Sequence, residues 1–178
     1  MRIGRLTTRV VFQILAVLLV IEWAETEEAR SASDTPFAAF SESLTTVPQV
    51  PLATHGLVYV PAFSSVHMGG GRTRLDLAVT LSIHNTSESD SLVLDRIDYF
   101  NTSGNLVQRY VEQPIALRPF GTVEVFIPAD DVRGGTGANF LVSWAAVQHI
   151  SEPAVQAVMV GNVGTAGYSF TSSGKPIR

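Results

Sequence analysis

The densest concentration of reactive groups in this sequence is the run Asp130-Asp131-Val132-Arg133-Gly134-Gly135-Thr136-Gly137. Adjacent carboxylates at a loop end can hold a hard cation such as calcium, with Asp76, Asp95 or Asp98 as further oxygen donors. Glycines let backbone N–H groups approach an anion and form a nest around it. Asp130, Asp131, Arg133 and Thr136 are therefore the candidate ligand-binding residues. The plainer reading of the same run is a solvated turn whose glycines carry the chain into Asn139. Four histidines are present, at 55, 67, 84 and 149, without the paired spacing of a zinc site. His84 reads as a solvated residue standing alone on an outward strand face. There is no Gly-x-Ser-x-Gly elbow, His-Glu-x-x-His pair, phosphate loop or EF-hand spacing. Cysteine is absent, which excludes a thiolate nucleophile, a thiolate metal site and a disulfide framework. No catalytic residue, metal ligand or cofactor is assigned on these grounds.

The elements that must position this loop are strands. From Leu57 onward, β-branched and aromatic runs alternate with Gly, Pro, Asn and Asp clusters, and helical spacing between caps is missing. In Leu75–Ile83, Leu75, Leu77, Val79, Leu81 and Ile83 point one way while Asp76, Ala78, Thr80, Ser82 and His84 point the other. That alternation places one face on a core and one in water. Asn85–Asp90 and Asn101–Gly104 read as turns, although Asn85-Thr86-Ser87 and Asn101-Thr102-Ser103 also match a glycosylation acceptor. Phe140, Val142 and Trp144 share one face of a strand and predict its centre in the core rather than an aromatic ligand platform. Turns recur often enough to predict an all-β fold, a single antiparallel β-sandwich of immunoglobulin-like kind with about eight or nine strands.

The chain has 178 residues, 46% hydrophobic and 16% charged, enough to bury a core in one domain with an N-terminal appendage. Arg2, Arg5 and Arg9 precede an apolar run, Val10–Ile21, which is shorter than the roughly 20 residues of a membrane-crossing helix. That layout predicts residues 1–31 as a secretory signal, with an uncleaved membrane anchor as the second reading. Residues 32–55, rich in Ser, Thr, Ala and Pro, read as a poorly ordered linker, and residues 56–178 as the folded domain. Localisation is then periplasmic or extracellular, with membrane contact only through the N-terminal segment. The net charge is −4, and beyond Gly56 eight basic and ten acidic residues lie without a basic cluster. A nucleic-acid groove needs a basic footprint, so nucleic acid is not an expected partner.

Five segments in order, VYVPAFSSV (Val58–Val66), LAVTLSIHNT (Leu77–Thr86), IDYFNTSGNLV (Ile97–Val107), GGTGANFLVSW (Gly134–Trp144) and AGYSFTSSGKPI (Ala166–Ile177), resemble a bacterial family catalogued as domain of unknown function 3124. The resemblance spans Leu57 to Ile177 and implies an exported bacterial protein. It brings no activity, cofactor or catalytic residue. One departure is that basic residues near SFTSSG are reduced to Lys175.

Three expectations about function follow. The first is a non-catalytic binding or structural module of the bacterial envelope, whose partner is a protein or an envelope component. The second is an enzyme or enzyme subunit whose polar residues, such as His67, Asp130 and Arg133, converge only in three dimensions. The third is a metal or anion sensor.

Overall fold

The computed structural model describes residues 36–178. The expected signal, residues 1–31, lies outside the described residues. The chain divides into two units, Met1–Ala39 and Phe40–Arg178, and the fold below is that of the second.

Thirteen strands carry nearly the whole fold: β1 (Leu44–Thr45), β2 (Thr54–Pro61), β3 (Ser65–Met68), β4 (Thr73–Asp76), β5 (Ala78–His84), β6 (Leu92–Phe100), β7 (Leu106–Arg109), β8 (Ile115–Leu117), β9 (Thr122–Ile127), β10 (Asn139–Ala146), β11 (Ala154–Val163), β12 (Ala166–Ser173) and β13 (Lys175–Pro176). Two short 3-10 turns, Ala38–Ser43 and Val132–Gly137, are the helical elements. Every strand pair is antiparallel. A seven-stranded sheet runs β1-β8-β6-β10-β2-β13, with β7 paired to β6. A four-stranded sheet runs β12-β11-β5-β9, and β3 pairs with β4.

The strand count exceeds the expected eight or nine for a local reason. Leu75–Ile83 does alternate as expected, with Leu75, Leu77, Val79, Leu81 and Ile83 all buried. The run nevertheless divides at Leu77, whose N–H donates to the Ser64 carbonyl at 2.9 Å. Its first half pairs with β3, and its second half enters the four-stranded sheet. The two-residue strands β1 and β13 add the rest. They are too short for any period to show.

Each large sheet buries one face. From the seven-stranded sheet come Val58, Val60, Leu94, Ile97, Tyr99, Phe140, Val142 and Trp144; from the four-stranded sheet come Val79, Leu81, Ile83, Val123, Val125, Ile127, Val155, Ala157 and Met159. The expected aromatic face of β10 is thus in the core. Phe140 stacks on Tyr99 with ring centroids 4.9 Å apart. Trp144, 4% exposed, lies over Gly56, its partner on β2. A Cβ at position 56 would come within 2.6 Å of three indole atoms, so only glycine lets the ring lie there.

The seven-stranded sheet also buries part of its other face. Val93, Ala116 and Ala145 form a small apolar cluster covered by Val47 and Leu52. These covering residues belong to the stretch expected to be a poorly ordered linker. In the structure Leu44 and Thr45 pair with Leu117 and Ala116, and Ala53 donates to the Ala146 carbonyl at 2.9 Å. Only a few apolar residues at irregular spacing do this work, so no periodicity announces it.

Among the described residues, the β8–β9 turn holds the one non-glycine residue with a positive φ. Gly121 donates to the Arg118 carbonyl at 2.9 Å, closing the turn, and Phe120 takes φ 57° with 67% of its surface exposed. A left-handed conformation costs an L-residue roughly 1–2 kcal/mol, and an exposed ring recovers little of that by packing. Phe120→Gly is therefore expected to raise unfolding stability by about 0.5–1 kcal/mol, the strain relief less the extra entropy of the unfolded chain. Trp144→Ala, measured in the same denaturant series, is expected to lower it by about 3–5 kcal/mol. A neutral Trp144→Ala would show that the indole is not part of the core.

Candidate functional site

The Asp130–Gly137 loop carries the chain from β9 in the four-stranded sheet to β10 in the seven-stranded sheet, and its geometry is set by Tyr99 and Thr102. The Tyr99 and Ser64 hydroxyls share a buried hydrogen bond at 2.5 Å. Gly134 is buried directly against that pair, and a Cβ there would overlap the Tyr99 oxygen. The Thr102 N–H and hydroxyl both donate to the Gly134 carbonyl, at 2.9 and 3.0 Å, and the Thr102 oxygen accepts from Gly137 N–H at 2.9 Å. Ser64 N–H donates to the Gly135 carbonyl at 3.0 Å. Gly134 serves close approach between loop and sheet, and Gly135 takes a positive φ of 75°.

The charged residues of the loop are only partly brought together. Asp131 caps the 3-10 turn, accepting from Arg133 N–H at 3.2 Å and from the Arg133 guanidinium at 2.8 and 2.6 Å. This fork is the strong, charge-assisted kind of hydrogen bond. It holds the Asp131 carboxyl below its usual range, the hydrogen bond to Arg133 being the chief cause. Asp130 is exposed and Thr136 half-buried, and neither side chain joins the pair. Val132, Arg133 and Gly137 already spend their N–H groups inside the protein, which leaves less of the loop for an anion nest. Among the described residues, no three of His, Asp and Glu stand close enough together to hold a metal ion. Among the described hydrogen bonds, His67 and Asp130 make none to Arg133. His67 instead sits opposite Arg74 in the β3–β4 pair.

Both acceptor-like asparagines are structural turns. Asn85 is buried and donates to the carbonyls of Asp90, Arg118 and Leu117, at 2.8, 3.0 and 3.3 Å. Asn101 accepts from the N–H groups of Ser103 and Asn105.

Two arrangements escape sequence reading. The first surrounds His84, expected to stand alone. Its Nε2 lies 3.0 Å from the Ser82 hydroxyl and its Nδ1 2.9 Å from that of Thr122, while Ser82 donates to Glu124 at 3.2 Å. Ser82 and His84 were two apart on one predicted face, but Thr122 and Glu124 arrive from β9 through register that one strand cannot reveal. The second is a cleft of about 160 Å³ on the outer face of the seven-stranded sheet, lined by His55, Gly56, Leu57, Arg96, Ser143 and Arg178. Ser143 stands between Arg96 of β6 and Leu57 of β2, and the Leu57 N–H donates to the Arg178 carbonyl at 3.0 Å. Two arginines and a histidine line it, and no acidic side chain does. Next to it the buried Asp98 is paired with Arg109 at 3.0 Å, with the Arg96 Nε at 3.9 Å.

Over residues 55–177 the chain matches the family described as "Protein of unknown function (DUF3124)". The chain belongs to that family. No curated protein matches its sequence. Among solved structures, the crystal structure of Thermotoga maritima 1070 is similar at 12% identity, over 67% of this chain and 92% of that one, with a TM-score of 0.40.

The phenols behind the loop give the site a pH signature. Burial, with the nearby Tyr99 and Asp131 adding to it, pushes Tyr110 up to about 12 from an ordinary 10.0, and burial also raises Tyr99. The folded state therefore keeps a proton that the unfolded state loses first. The resulting stability is fully present below pH 10 and is lost as pH rises from there toward 12. Tyr110→Phe is expected to flatten this alkaline decline in unfolding midpoint, and equal slopes for the variant and the wild type would contradict the assignment.

Proposed function

We propose that this chain is a non-catalytic binding or structural module of the bacterial envelope, built as an immunoglobulin-like sandwich and working outside the cytoplasmic membrane. The observation that carries the reading is the cleft of His55, Arg96, Ser143 and Arg178. Guanidinium groups and an imidazole around a hydroxyl suit a carboxylate or phosphate group, which they bind by charge-assisted hydrogen bonds. The cleft stands on paired central strands, a rigid support that preorganises such contacts. Two further observations support the reading. Gly174 passes between Val58 of one large sheet and Val155 of the other, as expected where two sheets meet in a sandwich. Arg2, Arg5 and Arg9 before the apolar run Val10–Ile21 support export.

Affinity capture from an envelope extract, comparing the wild-type chain with Arg96→Gln, tests this. Arg96 is partly exposed and its approach to Asp98 is long, so the variant is expected to keep its unfolding midpoint and to lose the captured anionic component. Undiminished capture by Arg96→Gln would remove the cleft from the function.

A second reading, an enzyme, is favoured by one observation, the contact at 3.0 Å between the Ser82 hydroxyl and the His84 imidazole. A nucleophile–base pair needs that reach. What weakens the reading is that Ser82 gives its one proton to Glu124, so that His84 meets the hydroxyl oxygen as a donor and not as a base. In addition, β5 is paired on both sides, which commits the neighbouring strand N–H groups to the ladder and not to an oxyanion. Labelling of Ser82 by a serine-directed fluorophosphonate would establish the enzyme, and the module reading expects no labelling.

A further inference from the structure

The edges of the two large sheets are guarded unequally. In the seven-stranded sheet β1 and β13 are two residues each, and β7 is four residues carrying Arg109. In the four-stranded sheet, β9 carries Glu124 and stops at Pro128. Short length, charge and proline are the devices that keep sheet edges from pairing with other chains. β12 has none of them. It is eight residues long, AGYSFTSS, without a charge, a proline or a bulge, and among the described residues it pairs only with β11.

The register shows which of its groups are free. Gly174 N–H donates to the Val155 carbonyl at 2.7 Å, so those two residues form a hydrogen-bonded pair. Such pairs alternate along an antiparallel ladder. Residues 166, 168, 170 and 172 therefore direct their N–H and C=O groups at β11. Those of Gly167, Ser169, Thr171 and Ser173 point away from it, and all four residues are exposed. Beside this edge Tyr168 and Phe170 are 43% and 38% exposed, with Phe170 5.8 Å from Phe63.

We infer that β12 is the seam through which two copies of this chain pair, antiparallel about a two-fold axis at Phe170. The sequence of the strand fits its own reverse. With the axis there, Ser169 faces Thr171 and Gly167 faces Ser173, so the free groups of one copy meet the free groups of the other. Phe170 then faces its own counterpart, and Tyr168 faces Ser172, in the closer, non-hydrogen-bonded positions where aromatic side chains interact across strands. The eight residues carry no charge, so the same patch meets itself without like-charge repulsion, as a two-fold interface requires. The two four-stranded sheets become one. This inference uses neither the cleft nor its ligand.

Because the chain contains no cysteine, one substitution reads the geometry directly. Phe170→Cys places two thiols opposite each other at the axis, within the Cα separation that a disulfide spans. Val160→Cys, exposed on the neighbouring strand β11, serves as the control. The full-length chain is expected to sediment as a dimer at micromolar concentration, with Phe170→Cys cross-linking rapidly under mild oxidation and Val160→Cys lagging well behind. Ser169→Pro removes an outward N–H and leaves the bonds to β11 in place, so it is expected to yield a folded monomer. A monomeric full-length chain, or cross-linking of Phe170→Cys no faster than Val160→Cys, would overturn the inference. So would a Ser169→Pro protein that folds and still dimerises. A monomer in which the outward amides of Gly167, Ser169, Thr171 and Ser173 are protected from hydrogen exchange would overturn it as well, assigning the edge to another segment of the same chain.

Discussion

The close contact between Gly134 and the Tyr99 hydroxyl governs much of this fold. Tyr99 stands at the end of β6 with its ring on Phe140 of β10 and its oxygen on Ser64, the residue just before β3. Ser64 in turn takes the Leu77 N–H on its carbonyl and gives its own N–H to Gly135. One phenol thus ties the seven-stranded sheet to the β3–β4 pair, to the point where β4 becomes β5, and to the loop before β10. A buried hydroxyl must be hydrogen-bonded, and a buried ring must be packed. Tyr99 meets both demands only because position 134 has no side chain.

Much of the all-β character was legible in the sequence, and the reason is physical. Strands with one buried face must alternate, so Leu75–Ile83 and Phe140–Trp144 declared their inward residues correctly. What stayed hidden was whatever depends on pairing partners far away in sequence. The transfer of one alternating run between two sheets at Leu77 leaves the alternation intact, so it leaves no trace in the pattern. The cover supplied by Val47 and Leu52 rests on two side chains in a stretch rich in serine and proline.

The candidate site divides in the same way. The Asp130–Gly137 run stood out because its reactive residues are adjacent in sequence. Adjacency is also what lets Asp131 and Arg133 satisfy each other locally, so the conspicuous charges are partly spent on their own turn. The cleft has the opposite character. His55, Arg96, Ser143 and Arg178 come from four separate parts of the chain, and each alone is an unremarkable surface residue. Register across β2, β10 and β6 makes them neighbours.

That register also bears on how the chain reaches its fold. β2 begins at Thr54, yet the strands on either side of it are β10, from Asn139, and β13, which ends at Pro176. A strand laid down early therefore waits for β13, more than a hundred residues further on, before its second edge is closed. Loop-closure entropy must be met before such distant contacts stabilise anything, which puts folding in the slow, high-contact-order regime of roughly milliseconds to seconds. A chain emerging from its N-terminus therefore cannot complete the centre of its larger sheet until β10 has been made.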